Sequence, residues 1–246
     1  MSIWNLTKWA LVLGIIMVTG LNASWIAPTP KGALKLIAAH GIDADKDGCI
    51  NQGGLDRAFQ DHAEIVVVKA APRKGCSTLS EAIYYGPARK FMADMGSDAS
   101  DAAATRAVFA GRKRDIDKRY SFTGDAAAVA DISKTNPQAW AWSAAQARAC
   151  FDAYVRTGWT SIMPAVCAGK TITVPLDQQW KAWGWPKRFM ARMDAAKVRV
   201  ILTGPATADG TITGLSALEQ IPQVPRDFTG YLWVEDIGLI GPALRR

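Results

Sequence analysis

Gly158-Trp-Thr-Ser-Ile-Met-Pro-Ala-Val-Cys167, running on through Thr171-Ile-Thr-Val-Pro175 to Trp183-Gly-Trp-Pro186, is the stretch from which the fold is read. It holds two short runs of β-branched or apolar residues, 160–163 and 171–175, each closed by turn formers. The periodicity of residues 186–196 predicts an amphipathic helix, and Val198-Arg-Val-Ile-Leu202 reads as a buried strand ending at Gly204-Pro205. Short apolar strands alternating with helices are the pattern of a parallel α/β protein. In such folds the loops after the strands gather at one end, where sites are built.

Outward from this stretch the same alternation continues. Upstream, residues 34–38 read as a first strand, 55–62 as a short helix and 65–69 as a second strand. The stretch from Pro72 to Tyr120 reads as mostly helical, with helices over 80–95 and 100–112 and no strand candidate. Further elements are a helix over 125–133, a strand over 139–142, a helix over 144–156, a short helix over 215–221 and a last strand over 230–234. That makes about seven strands. Some 215 residues remain after the N-terminal segment, and eight βα units usually take about 250. The expectation is therefore a barrel with one or two units lost or rewritten between Ala70 and Arg119. Trp140 and Trp142, two apart on a strand, share one face, expected to be the helix layer.

The N-terminal segment is different in kind. Residues 9–21 are continuously apolar or small, Lys8 precedes them, and Trp4, Trp9 and Trp25 bracket the run. A helix from Lys8 to Trp25 would cover about 26 Å, close to the thickness of a hydrocarbon core, and tryptophans favour the interfacial zones of a bilayer. The expected organisation is a transmembrane anchor over 1–28 and an α/β domain over 29–246. A cleaved signal peptide is the alternative: Val18-Thr-Gly20 is a tolerable cleavage site, while Leu21-Asn-Ala23 carries a large residue where small ones are preferred.

The chain of 246 residues carries a net charge of +7, but its bases are scattered. The tight cluster Arg112-Lys-Arg114 is followed at once by Asp115 and Asp117. There is no basic stripe with interleaved aromatics, so nucleic acid is excluded as a partner.

Several motifs resemble one group of bacterial glycerophosphodiester phosphodiesterases that carry an N-terminal membrane segment. They are Gly158-Trp-Thr, Val174-Pro-Leu, Trp183-Gly-Trp-Pro-Lys-Arg-Phe-Met-Ala-Arg-Met193 and Trp233-Val-Glu-Asp-Ile-Gly-Leu-Ile-Gly-Pro242, with Asn22-Ala-Ser-Trp-Ile-Ala-Pro leading to Leu36-Ile-Ala-Ala-His-Gly41. The resemblance covers residues 120–246 and 22–41. It implies a TIM barrel, and a site in which carboxylates hold a divalent cation while two histidines act as acid and base on the phosphodiester.

The residues that this chemistry needs are missing. In a gapless match the family's His-Arg-Gly falls on Ala39-His40-Gly41; with one residue deleted, His40 keeps the histidine role and the arginine is gone. On the second strand Val67 and Lys69 stand at the two metal-ligand positions of a Glu-x-Asp. Valine cannot ligate, and an ammonium repels a cation. Near Gln52-Gly-Gly54 no Glu-Asn-Thr motif is found, His62 stands on the helix before the second strand, and Glu235-Asp236 replaces an Asn-Arg pair.

A rival chemical signal is Asp43-Ala-Asp45-Lys-Asp47-Gly48-Cys-Ile50-Asn51, which matches the first nine positions of an EF-hand calcium loop but has Gly54 where the bidentate glutamate belongs. Asp43, Asp45, Asp47 and Asn51 are thus weak candidate ligands for calcium or another divalent cation, and His40 beside them is the candidate catalytic group of an enzyme that had kept activity. Cys49, Cys76, Cys150 and Cys167 have counterparts in the family, and a periplasmic setting allows disulfides. Three pairings are open, with Cys49–Cys76 and Cys150–Cys167 expected and four buried thiols as the alternative. Trp180, Trp183 and Trp185 follow a strand and are candidates for a ligand lip or lipid-facing rim, with packing as the other reading. Trp159 and Trp233 are expected to be structural.

The expectation is an inactive phosphodiesterase-like protein on the bacterial inner membrane. It would be single-pass, with its domain in the periplasm, serving as an accessory subunit beside other membrane proteins. The competing expectations are an active metal-dependent phosphodiesterase and a non-enzymatic binder of a phospho-headgroup.

Overall fold

The computed structural model describes residues 3–39, 52–69, 89–96, 99–110 and 119–244. Eight parallel strands form one sheet: β1 (Lys35–Ala38), β2 (Ala63–Lys69), β3 (Lys90–Asp94), β4 (Tyr120–Thr123), β5 (Trp140–Trp142), β6 (Thr171–Pro175), β7 (Arg199–Thr203) and β8 (Tyr231–Val234). Their order is β5-β4-β3-β2-β1-β8-β7-β6. The first strand thus pairs with both the second and the last, which wraps the sheet into a nearly closed barrel of the TIM type. No backbone ladder joins β5 to β6 among the described residues. The Trp140 indole spans that seam, donating from Nε1 to Thr171 Oγ1 at 2.9 Å.

The helices are α1 (Ile3–Asn22), α2 (Gln52–Gln60), α3 (Ala99–Phe109), α4 (Ala126–Thr135), α5 (Ala144–Thr157), α6 (Lys187–Ala195) and α7 (Ile237–Ala243). Asp125 and Ser143 start α4 and α5 by accepting from the backbone N–H groups of Ala128 and Gln146, satisfying donors that have no partner within the helix. At Gly241 the end of α2 comes so close that a Cβ would collide with the Asp61 carbonyl. This glycine lets α7 close against α2.

Alternation along the strands sorts the core into two layers. Leu36, Val66, Phe91, Phe122, Ile172, Leu202 and Leu232 point outward to the helices. Ile37, Ile65, Val67, Met92, Trp140, Trp142, Ile201 and Trp233 fill the barrel.

Four expectations need correction. The barrel is complete in strand number: β3 lies inside the stretch expected to be helical, and β4 follows it. Lys90-Phe-Met-Ala-Asp is buried on both faces, Phe91 outward and Met92 inward, so no polar alternation marks it as a strand. Residues 160–163 form no strand. A 3-10 turn, Gly158–Thr160, leads to Ser161 in the left-handed region at φ 66. The helix expected over 55–62 ends at Gln60, and His62 sits in the following turn with φ 72. Finally, Trp140 and Trp142 face the barrel interior. Buried Ser121, Thr171 and Thr173 are small, so large indoles from β5 supply the volume that close packing requires. Trp142 meets Trp233 edge-to-face at 5.6 Å, and Trp140 packs on Tyr231 at 4.7 Å.

Candidate functional site

The C-terminal ends of the strands enclose a cleft of about 370 Å3, bordered by Ala39, Val67, Asp94, Thr123, Trp142 and Trp233. Parallel pairing sets Lys69 of β2 opposite Asp94 of β3. The Lys69 Nζ lies 3.3 Å from Asp94 Oδ2, with both side chains about one-quarter exposed. Asp94 also accepts from the Gly96 N–H at 2.9 Å. The carboxylate that reaches the cleft beside the second strand is therefore neutralised by an internal ammonium.

Val67 is buried in the barrel, and Ala39, fixed by its N–H donating to the Val234 carbonyl at 2.8 Å, presents a methyl group. Neither transfers a proton nor holds a metal. Glu235 and Asp236 are spent on backbone. Glu235 Oε2 accepts from the Gly214 N–H at 2.6 Å, and Asp236 accepts from the Leu239 N–H at the start of α7.

Among the described residues no group of three or more His, Cys, Asp or Glu side chains is placed to hold a metal ion. His40, Asp43, Asp45, Asp47 and Asn51 lie outside the described residues, as do Cys49, Cys76 and the cluster Arg112-Lys-Arg114. Cys150 and Cys167 form the expected disulfide, tying α5 to the segment before β6.

None of Trp180, Trp183 and Trp185 borders the cleft. Trp185 packs on Phe189 and Phe228, Trp183 donates from Nε1 to the Val155 carbonyl at 2.9 Å, and Trp180 is 80% exposed. Trp159, expected to be structural, is 44% exposed. A smaller cavity of about 60 Å3 lies over β6 and β7. Thr207 and Thr211 line it, and both donate to neighbouring Asp209, which lowers that carboxyl to about 2.

The densest polar site is one the sequence did not reveal. Arg192 of α6 donates from Nη2 to the Leu21 carbonyl at 2.8 Å and to Ser161 Oγ at 2.6 Å. From Nη1 it reaches Asn22 Oδ1 at 3.1 Å, Tyr154 Oη at 2.9 Å, the Gly158 carbonyl at 3.1 Å and the Trp183 carbonyl at 3.3 Å. Asn22 Nδ2 donates in turn to the Trp159 carbonyl, and the Lys187 N–H to Ser24 Oγ, each at 3.0 Å. A cation over the last carbonyls of α1 is also the favourable sign for a helix C-terminus. Burial pushes the Tyr154 phenol above its usual range, while the hydrogen bond and charge of Arg192 pull the other way.

Among the described residues no helix is long and apolar enough to cross a membrane, so the span expected from Lys8 to Trp25 is not established. Helix α1 nevertheless leaves Leu11, Val12, Leu13, Ile15, Ile16 and Met17 exposed.

No protein-family model matches the chain, and comparison with curated proteins found no match. The likeness to the phosphodiesterases rests on the motifs quoted above.

Proposed function

We propose that this protein is a catalytically silent, phosphodiesterase-like barrel that serves as an accessory or structural subunit of a bacterial membrane assembly, anchored by α1 with its domain on the periplasmic side. The observation that carries the reading is the Lys69–Asp94 pair. At the barrel mouth a fixed ammonium stands where a phosphodiesterase of this kind needs an acid, and its charge is already matched by the carboxylate nearest to it. A divalent cation would have to displace that ammonium and then accept a valine at the neighbouring ligand position, which lacks any donor atom. Without the cation, no described side chain bordering the cleft is left to offset the negative charge of a phosphodiester in its transition state.

The apolar surface of α1 supports the anchoring half of the proposal. A helix apolar on every side finds no stable place in water, and α1 leaves its middle turns uncovered by the barrel.

The full chain, assayed against glycerophosphodiesters with calcium, magnesium and manganese in turn, should give no turnover above the metal-only blank. Turnover that disappears in His40→Ala would overturn the reading in favour of an active enzyme. Purification from membranes under mild detergent should bring other subunits along in fixed ratio.

A further inference from the structure

Around the foot of α1 the domain exposes a group of large apolar side chains that the cleft does not explain. Trp25 and Ile26, in the 3-10 turn after α1, are 76% and 60% exposed; Trp159, in the turn after α5, is 44% exposed and Ile162 is 70% exposed. Such residues are unremarkable when scattered singly over a surface. Here all four belong to segments bound to one another. The Trp159 carbonyl accepts from Asn22, Ser161 accepts from Arg192, and Ser24 accepts from the N–H of Lys187 in the first turn of α6.

We infer that this collar is a bilayer-contact face, lying in the interfacial zone of the lipid into which α1 inserts and holding the domain in one orientation with its cleft turned away from the membrane. The inference rests on the proposed anchoring by α1 and adds the domain's own contact with lipid.

Lipid fits the surface better than a second copy of the chain. Leu11, Val12, Leu13, Ile15, Ile16 and Met17 succeed one another at 100° steps, so apolar side chains leave α1 in every direction. A coiled coil or groove-bound helix needs one apolar stripe and a polar remainder; hydrocarbon needs no stripe. Tryptophan favours the interfacial layer because its ring is apolar and its N–H polar. Exposed Arg156, in the last turn of α5, suits headgroup phosphates, as does half-buried Arg188, whose Nε lies 3.4 Å from the Ala23 carbonyl.

The orientation follows from α5. Its first residue, Ala144, borders the cleft, and its last, Thr157, adjoins the collar. Fourteen residues of helix separate the two ends, a distance of about 21 Å. The Arg192 hydrogen bonds keep α1 from swivelling on the domain.

The test uses the full chain in phosphatidylcholine–phosphatidylglycerol vesicles whose lipids carry bromine high on the acyl chain, with tryptophan fluorescence as the readout. Wild-type protein should be quenched. In the double variant Trp25→Phe, Trp159→Phe the quenchable fraction should fall by roughly half, because Trp4 and Trp9 on α1 remain as interfacial reporters. Equal quenching in the two proteins would overturn the collar while leaving the anchor standing. No quenching in either would overturn both. Hydrogen exchange on the wild-type protein reads the same face without mutation: amides of residues 159–163 should slow when vesicles are added, and unchanged exchange there would refute the contact.

Discussion

At the strand C-termini the cleft is walled by Ala39, Val67, Trp142 and Trp233, and Lys69 is taken up by Asp94. At the other end of α5 a single guanidinium, that of Arg192, reaches six oxygen acceptors on three separate stretches of chain. Barrels of this architecture usually concentrate polar side chains at the first of these places and leave the second to packing. Among the described residues the inventory is reversed: hydrogen-bonding capacity is concentrated on joining α1 to the domain.

The largest expected effect comes from removing the centre of the α1 joint. Arg192→Met leaves the carbonyl of Leu21 and the hydroxyl of Ser161 without the guanidinium donor, and should cost about 3–4 kcal/mol in denaturant unfolding, since each orphaned polar partner is expensive. It should also expose residues 22–26 to protease while the barrel stays intact. A stability unchanged within error would mean that the two ends do not differ energetically.

Next is the disulfide. Replacing Cys150 and Cys167 by alanine opens a loop with a sequence separation of 17 and should lower stability by about 3 kcal/mol on loop-entropy grounds. Thermal unfolding with and without reductant reads the same quantity.

Tyr154→Phe should cost about 2 kcal/mol, because the hydroxyl accepts from Arg192 and donates to the Trp183 carbonyl, each at 2.9 Å. It also has a pH signature. The folded-state phenol is held above 10.0 by burial, so an unfolded chain ionises first. The stability due to this group is complete below pH 10 and is lost as the pH rises through the folded-state value. Alkaline unfolding curves of Tyr154→Phe should lack that limb, and identical limbs would contradict the assignment.

The smallest effect belongs to the cleft. Lys69→Met removes a partly solvated ion pair and should change stability by less than about 1 kcal/mol. By freeing Asp94 it should also raise divalent-cation affinity, measured calorimetrically.

How far the sequence could be read divides along similar lines. The α5 region was legible because its signals are local: Ser143 caps the helix, Trp-Ala-Trp precedes it, and Gly158 follows it. β3 was hidden because Phe91, Met92 and Ala93 are apolar on both faces, and alanine- and methionine-rich text reads as helix when burial is unknown. The inward turn of Trp140 and Trp142 depends on Ser121, Thr171 and Thr173 leaving room across the barrel, a volume relation among strands that spacing alone does not contain. The placing of Val67 and Lys69 on the second strand was legible, since Ile65-Val-Val-Val is β-branched throughout. The Arg192 joint was not. An arginine on an amphipathic helix looks like any solvated base, and its partner Asn22 lies 170 residues away.

The central claim is electrostatic, and crystals soaked in manganese test it most directly. Anomalous maps should place no ion at the ends of β2 and β3, with the Lys69 ammonium still against Asp94. A manganese ion bound by Asp94, with Lys69 swung aside, would contradict the account.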